Sequence, residues 1–354
     1  MPSNPVLPEF SWFAALCDDD TSNLGQPDAQ LLSSYDHCAS IVAEAAAQGF
    51  DAVLLPSGYA LGIDSTAFAA AIARDVAGID LLLAIRCGEL WTPQLVRQLS
   101  TIDQLSNGRL RINIISSDLP GQTEPGELRY ERTARTMEAL TAGLQGHLLQ
   151  LDGFDLQPPR ISTTVARRPP LYFGGLSPAA RQVAAEHADV YLMWPDTEEG
   201  VAAIIQDLTE RAAAFGRTLK FGYRVHVVVR PTEAEARAAA FALVADLDAA
   251  TGEAIRSKSL DATSVGVARQ SELREAANDD GFIEPNLWTG IGRARSGCGA
   301  AVVGDPDQVE AKLRSYLDLG ISAFILSGYP HEQEARHFGQ LVLPRFAHAK
   351  LSLS

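Results

Sequence analysis

The run Gly222-Tyr-Arg-Val-His-Val-Val-Val-Arg230 carries Arg224 and His226 two positions apart. Alternate residues of a strand share a face, so Arg224 and His226 point together while Val225 and Val227 point away. A guanidinium and an imidazole on one inward face are costly to bury unless they meet an anion, a cofactor or a carboxylate. A second constellation is Tyr172-Phe-Gly-Gly-Leu-Ser-Pro-Ala179, which reads as a strand end, two small residues, Ser177 as N-cap and Pro178 at the first helical position. Free N–H groups and the positive end of a helix dipole suit a phosphate there, although a well-capped helix that binds nothing would carry the same residues. In Gly290-Ile-Gly-Arg-Ala-Arg-Ser-Gly-Cys-Gly299, Arg295 stands where a dinucleotide fingerprint needs its third glycine, and no βαβ start surrounds it. That segment reads instead as a mobile loop carrying cations toward an anionic group, or as an ordinary surface loop.

Other chemistries find little support. His37 and His187 fall in helical windows, His331 follows Tyr329-Pro330 in a loop, and there is no HExxH or GxSxG pattern. Cys17, Cys38, Cys87 and Cys298 form no CxxC pair, so neither a metal site nor a disulfide framework is expected, and a reducing compartment fits.

These residues must be positioned by elements. Short β-rich runs alternate with helical patterns, the signature of βα units around a parallel sheet. Strands are predicted at Phe10–Leu16, Ala52–Leu55, Leu81–Arg86, Leu110–Ser116, Leu171–Gly174, Val190–Trp194, Tyr223–Val229 and Phe324–Ser327. Between them, Leu31, Tyr35, Cys38, Val42 and Ala45 follow one helix face that Gly49 ends. Leu95, Leu99, Ile102 and Leu105, then Val309, Leu313 and Tyr316, do the same. Eight strands each followed by a helix close into a (β/α)₈ TIM barrel, a single α/β domain over residues 1–354. Its reactive groups then come from the C-terminal strand ends: Arg86, Asn113, Ser116, Gly174, Gly175, Ser177, Trp194, Arg224, His226 and Tyr329. Residues 117–127 read as a polar loop. Residues 249–302 read as an insertion before the last helix and strand, an active-site lid in which Phe282 and Trp288 favour packing over something.

The chain has 354 residues, 46% of them hydrophobic, and 29 Lys and Arg against 44 Asp and Glu, for a net charge of -15. Such a charge repels nucleic acid and acidic lipid surfaces. The longest apolar stretches, such as Leu81–Ile85, are far short of a membrane span, and MPSNPVLPEF lacks the features of a signal peptide, so a cytoplasmic protein is expected.

Six stretches resemble the flavin-dependent bacterial luciferase-like monooxygenases, and within them the alkanesulfonate monooxygenase branch. They are Leu105-Ser-Asn-Gly-Arg109, Pro170-Leu-Tyr-Phe-Gly-Gly175, Gly222–Arg230, Pro285-Asn-Leu-Trp288, Arg295–Asp305 and Leu326-Ser-Gly-Tyr-Pro-His331. The resemblance runs almost end to end. It implies a two-component enzyme in which a separate NAD(P)H-dependent reductase supplies reduced FMN, O₂ is the oxidant, and an alkanesulfonate is cleaved to aldehyde and sulfite, in a homodimer or homotetramer. Carried over by position, it implies that Ser177, Gly174, Gly175 and Tyr130 hold the FMN phosphate, that Asn113 approaches the flavin ring and that Trp194 lines its cavity. Arg224, His226, Arg295 and Tyr329 match the catalytic residues around the sulfonate. The chain departs from the branch in the loop Pro56–Asp64, which has one extra residue and no cysteine, and at Gly126, where a histidine is expected. A deazaflavin-dependent dehydrogenase of the same superfamily and a non-enzymatic flavin-binding relative are the alternatives.

Overall fold

All eight expected strands form. In the computed structural model, which describes residues 7–58, 62–119, 121, 123–149, 161–257 and 264–353, they are β1 (Glu9–Phe13), β2 (Ala52–Leu55), β3 (Asp80–Arg86), β4 (Leu110–Ile115), β5 (Leu171–Phe173), β6 (Val190–Met193), β7 (Lys220–Val229) and, after three short strands, β11 (Ile321–Ser327). Each pairs in parallel with the next, and β11 pairs with both β7 and β1, closing the barrel. The helices α1 (Tyr35–Gln48), α2 (Ser65–Asp75), α3 (Thr92–Leu105), α4 (Gly126–Leu144), α5 (Pro178–His187), α6 (Glu198–Ala214), α7 (Glu233–Ala242), α10 (Pro306–Leu319) and α11 (His331–Leu341) surround it. Leu31 lies ahead of α1 rather than on it, because the Ser34 hydroxyl accepts from His37 N–H and starts the helix there.

Strand alternation sorts the core into two layers. Leu81, Leu83, Val225 and Val227 pack outward against the helices, whereas Leu82, Ala84, Tyr172 and Ile325 form a separate cluster with Phe13 and Val190. The strands are buried on both faces, which is why they read as continuous apolar runs.

The segment 249–302, expected from sequence to be an insertion, is folded where it is described. It holds α8 (Ala249–Arg256), α9 (Val265–Ala276) and an antiparallel pair, β8 (Phe282–Glu284) and β9 (Leu287–Trp288), which joins β10 (Ala301–Gly304). β10 in turn pairs in parallel with β7, setting Ala301 beside His226. Phe282 and Trp288 are buried with Ile291, Ala294 and Tyr329. Gly290–Arg293 is a 3₁₀ turn, not a nucleotide-binding loop. Residues 258–263 of the insertion and 59–61 of the second βα loop lie outside the described residues. No helix among the described residues is long and apolar enough to cross a membrane.

Candidate active site

One cavity at the C-terminal end of the barrel is lined by Asn113, Tyr130, Gly174, Gly175, Ser177 and Trp194, six residues picked out by sequence. β5 delivers the two glycines. A Cβ on Gly174 would stand 1.9 Å from the Leu192 carbonyl oxygen, and one on Gly175, whose φ is +150°, would meet the Ala180 side chain at 2.7 Å, so only glycine keeps this approach open. Ser177 then caps α5 by accepting from Ala180 N–H at 3.2 Å, with Pro178 following. The cavity thus faces a helix N-terminus, where an anion is stabilised.

Arg129 lines the same cavity and was not among the sequence candidates. Its Nη1 reaches Asp118 at 3.2 Å, while its buried Nε has no partner. An unsatisfied guanidinium N–H and the Tyr130 hydroxyl, 3.8 Å from a Cβ built on Gly175, fit a phosphate at this glycine-opened helix terminus, and the aromatic Trp194 in the same lining fits a fused ring system. The residues present therefore suit FMN.

The four residues assigned to the anion also meet. Phe13 packs under the Arg224 guanidinium at 4.5 Å, the His226 ring stacks on Tyr329 at 5.3 Å, and Arg295 donates to the Tyr329 hydroxyl. Arg224, His226 and Tyr329 are buried. Register explains His226: β7–β11 pairing sets it beside Ser327, whose hydroxyl lies 2.7 Å from Nδ1. Burial, reinforced by Arg224 and Arg295, holds the His226 pKa well below its usual 6.5, so the ring is neutral. Arg224, whose own pKa burial lowers, bonds only to the Val225 and Ile325 carbonyls and has no carboxylate partner among the described residues.

Arg295 Nη1 pairs with Asp19 Oδ2 at 2.9 Å. One expectation needs correction. His331 is not a loop residue of little weight. It is fully buried at the start of α11, with Nδ1 2.8 Å from Asp20 Oδ1 and its ring edge-on to Tyr329 at 5.0 Å. Asp20 also meets His37 Nε2 at 2.9 Å. Burial by itself would raise the Asp20 pKa, but the charge and hydrogen bonds of His331 outweigh it and hold the carboxyl below its usual value. Asp19 and Asp20 were missed, although Cys17-Asp-Asp-Asp20 directly after the first strand was a legible signal: it places carboxylates in a βα loop, where barrel chemistry is assembled.

Trp194 stands between the two groups. Cβ atoms built on Gly266 of α9 and on Gly297, two residues past Arg295, would lie 3.0 and 3.1 Å from its ring. The cavity and the segment 249–302 therefore share one side chain.

A sequence profile described as luciferase-like monooxygenase matches residues 9–323. The chain belongs to the luciferase-like monooxygenase family. It is 57% identical over 356 aligned positions to a sulfoquinovose monooxygenase of Novosphingobium aromaticivorans, covering 98% of each chain. It is 48% identical to a sulfoquinovose monooxygenase of Agrobacterium fabrum, covering 95% of this chain and 89% of the other. Among solved structures, a long-chain alkane monooxygenase superposes with a TM-score of 0.77 at 16% identity over 98% of this chain and 93% of the other, a likeness of fold. For this luciferase-like monooxygenase, the closed eight-stranded barrel matches the architecture expected from sequence.

Proposed function

We propose that this protein is a two-component monooxygenase that uses reduced FMN and O₂ to cleave the carbon–sulfur bond of a sulfosugar of the sulfoquinovose type, giving an aldehyde and sulfite. The observation that carries this reading is a buried cation without an ion pair: among the described residues, Arg295 pairs with Asp19, whereas Arg224 bonds only to two backbone carbonyls. A buried cation without a counter-ion calls for an anionic ligand, and a sulfonate supplies one negative charge and three acceptor oxygens. The two relatives named above direct the choice among sulfonates from a plain alkanesulfonate to sulfoquinovose.

Reduced FMN, when bound, supplies the two electrons with which one atom of O₂ enters the substrate and the other leaves as water. Ser177, the glycine pair and Arg129 would hold its phosphate; Asn113 and Trp194 would face its ring. Arg224 and Arg295 would orient the sulfonate, Arg295 through the rigid fork that suits an oxyanion. His226, neutral and with Nε2 unpartnered, would hold or pass a proton at that nitrogen, and Tyr329 would fix the position of Arg295. The insertion 249–302 would exclude water from the reacting atoms.

Purified protein supplied with FMN, NADH and a generic flavin reductase should release sulfite from sulfoquinovose in step with O₂ uptake. Absence of sulfite would overturn the reaction. Product formation without O₂ uptake would point instead to hydride transfer.

A further inference from the structure

The cationic cluster contains a buried acceptor that a sulfonate cannot satisfy. Asp19 spends one oxygen, Oδ2, on Arg295, while its other oxygen, Oδ1, is buried and has no partner. In the same cluster, the fully buried His331 has Nε2 unpartnered. Its Nδ1 faces Asp20 Oδ1 at 2.8 Å, and a carboxylate only accepts, so Nδ1 carries a proton. A sulfonate offers three acceptor oxygens and no donor. It belongs against Arg224 and Arg295, and it leaves Asp19 Oδ1 unmet. Hydroxyl groups elsewhere on the ligand, which both donate and accept, would meet Asp19 Oδ1 and His331 Nε2 alike.

We propose that Asp19 is a specificity-determining residue: Oδ2 holds Arg295 in place for the sulfonate, while Oδ1 accepts a hydrogen bond from a ring hydroxyl of the sugar, and a second hydroxyl meets His331 Nε2. This rests on the sulfosugar reading given above. Discrimination follows from stranding, since a site built to bond a hydroxyl rejects an analogue that lacks it more strongly than an apolar pocket rejects a missing methylene. Unsubstituted alkanesulfonates, which leave the Asp19 oxygen buried and unpaired, are accordingly poor ligands.

The test is anaerobic titration of the reduced-FMN complex with sulfoquinovose and with hexanesulfonate, followed by tryptophan fluorescence, in wild type, Asp19→Ala and Asp19→Asn. Hexanesulfonate reports the loss of Arg295 positioning alone. The expected result is that Asp19→Ala raises Kd for sulfoquinovose at least ~10-fold more than it raises Kd for hexanesulfonate. Asp19→Asn, which keeps an acceptor and conserves shape, should fall between wild type and Asp19→Ala. A ratio of the two Kd values unchanged within about threefold in both variants, or a wild type that binds both ligands equally, overturns the assignment. Sulfite release by the wild type reads the reaction separately. Sulfoquinovose binding that depends on Asp19 without sulfite release would defeat the reaction and leave Asp19 standing, whereas sulfite release with an unchanged ratio would defeat Asp19 alone.

Discussion

Ser177 bonds to Ala180 N–H and lines the cavity beside Gly174 and Gly175. Replacing it by alanine removes a cap and one phosphate contact, together about 1 to 3 kcal/mol. Ser177→Ala should therefore weaken reduced FMN several-fold or more in an anaerobic titration, with the barrel still folded by circular dichroism; an affinity unchanged within twofold would remove the phosphate from this helix end. His226 makes a different, pH-dependent prediction. Its pKa in the folded chain lies well below the 6.5 it regains on unfolding, so below pH 6.5 the unfolded state binds a proton that the folded state does not. Stability from this group is present above pH 6.5 and declines as pH falls, by up to about 1.4 kcal/mol per pH unit. Urea unfolding of wild type and His226→Asn at pH 7, 6 and 5 should show the steeper decline in wild type, and parallel profiles would mean that His226 is not held neutral. Residue types alone exposed Arg224 and His226, because two polar groups at strand spacing in an otherwise apolar run demand a counterpart. The same logic could not weigh His331, which is buried against Asp20 from the loop after the neighbouring strand β1.

At the scale of elements, α9 is fastened to the loop after β6. Arg269 reaches Asp196 with Nε and Nη2 at 2.9 and 2.8 Å, and Gln270 donates to the Pro195 carbonyl at 2.7 Å while accepting from Gly299 N–H. Through Trp194 this tether joins the insertion to the cavity. Arg269→Ala should increase subtilisin cleavage within 249–302 several-fold, and flavin with substrate should slow cleavage of both forms. Equal cleavage rates in variant and wild type would show that this pair does not hold α9; rates indifferent to ligands would refute the lid. The barrel strands were legible because strands covered on both faces are unbroken runs of Leu, Ile and Val. β8, β9 and β10 span only two to four residues, and their pairing depends on a turn at Asn286, whose φ is +64° and whose amide donates to the Val303 carbonyl at 2.9 Å. Neither period nor length marks such strands.

Across the whole molecule, β1 and residues 348–351 meet at the floor of the barrel, opposite the cavity. Arg111 binds Glu9, Asp80 and the Tyr172 hydroxyl, and Glu9, almost fully buried, also accepts from Leu351 N–H at 2.6 Å. Lys350 donates to Asp80, and His348 Nδ1 lies 2.8 Å from Asp51. Deleting residues 348–354 removes one hydrogen-bond partner from each of three buried carboxylates, Glu9, Asp51 and Asp80, and exposes the Leu351 contact with the barrel interior, so Tm should fall by several degrees in a thermal scan while Arg224 and Ser177, at the other end, keep their environment. An unchanged Tm would show that the tail is not part of the floor.

Local pattern was enough for the barrel, since period, caps and apolar runs are properties of neighbouring residues: Ser177 with Pro178, Gly49 after α1, and Arg224 with His226 could each be read in place. Closure of the barrel then brought six residues from four separate segments around one cavity. What only the tertiary structure decided is charge pairing. Asp19 lies 276 residues from Arg295, and Asp20 lies 311 from His331. Which cation is neutralised and which is left to an incoming anion depends on contacts between the first βα loop, the insertion and the last strand, and electrostatic energy follows distance in space rather than separation along the chain.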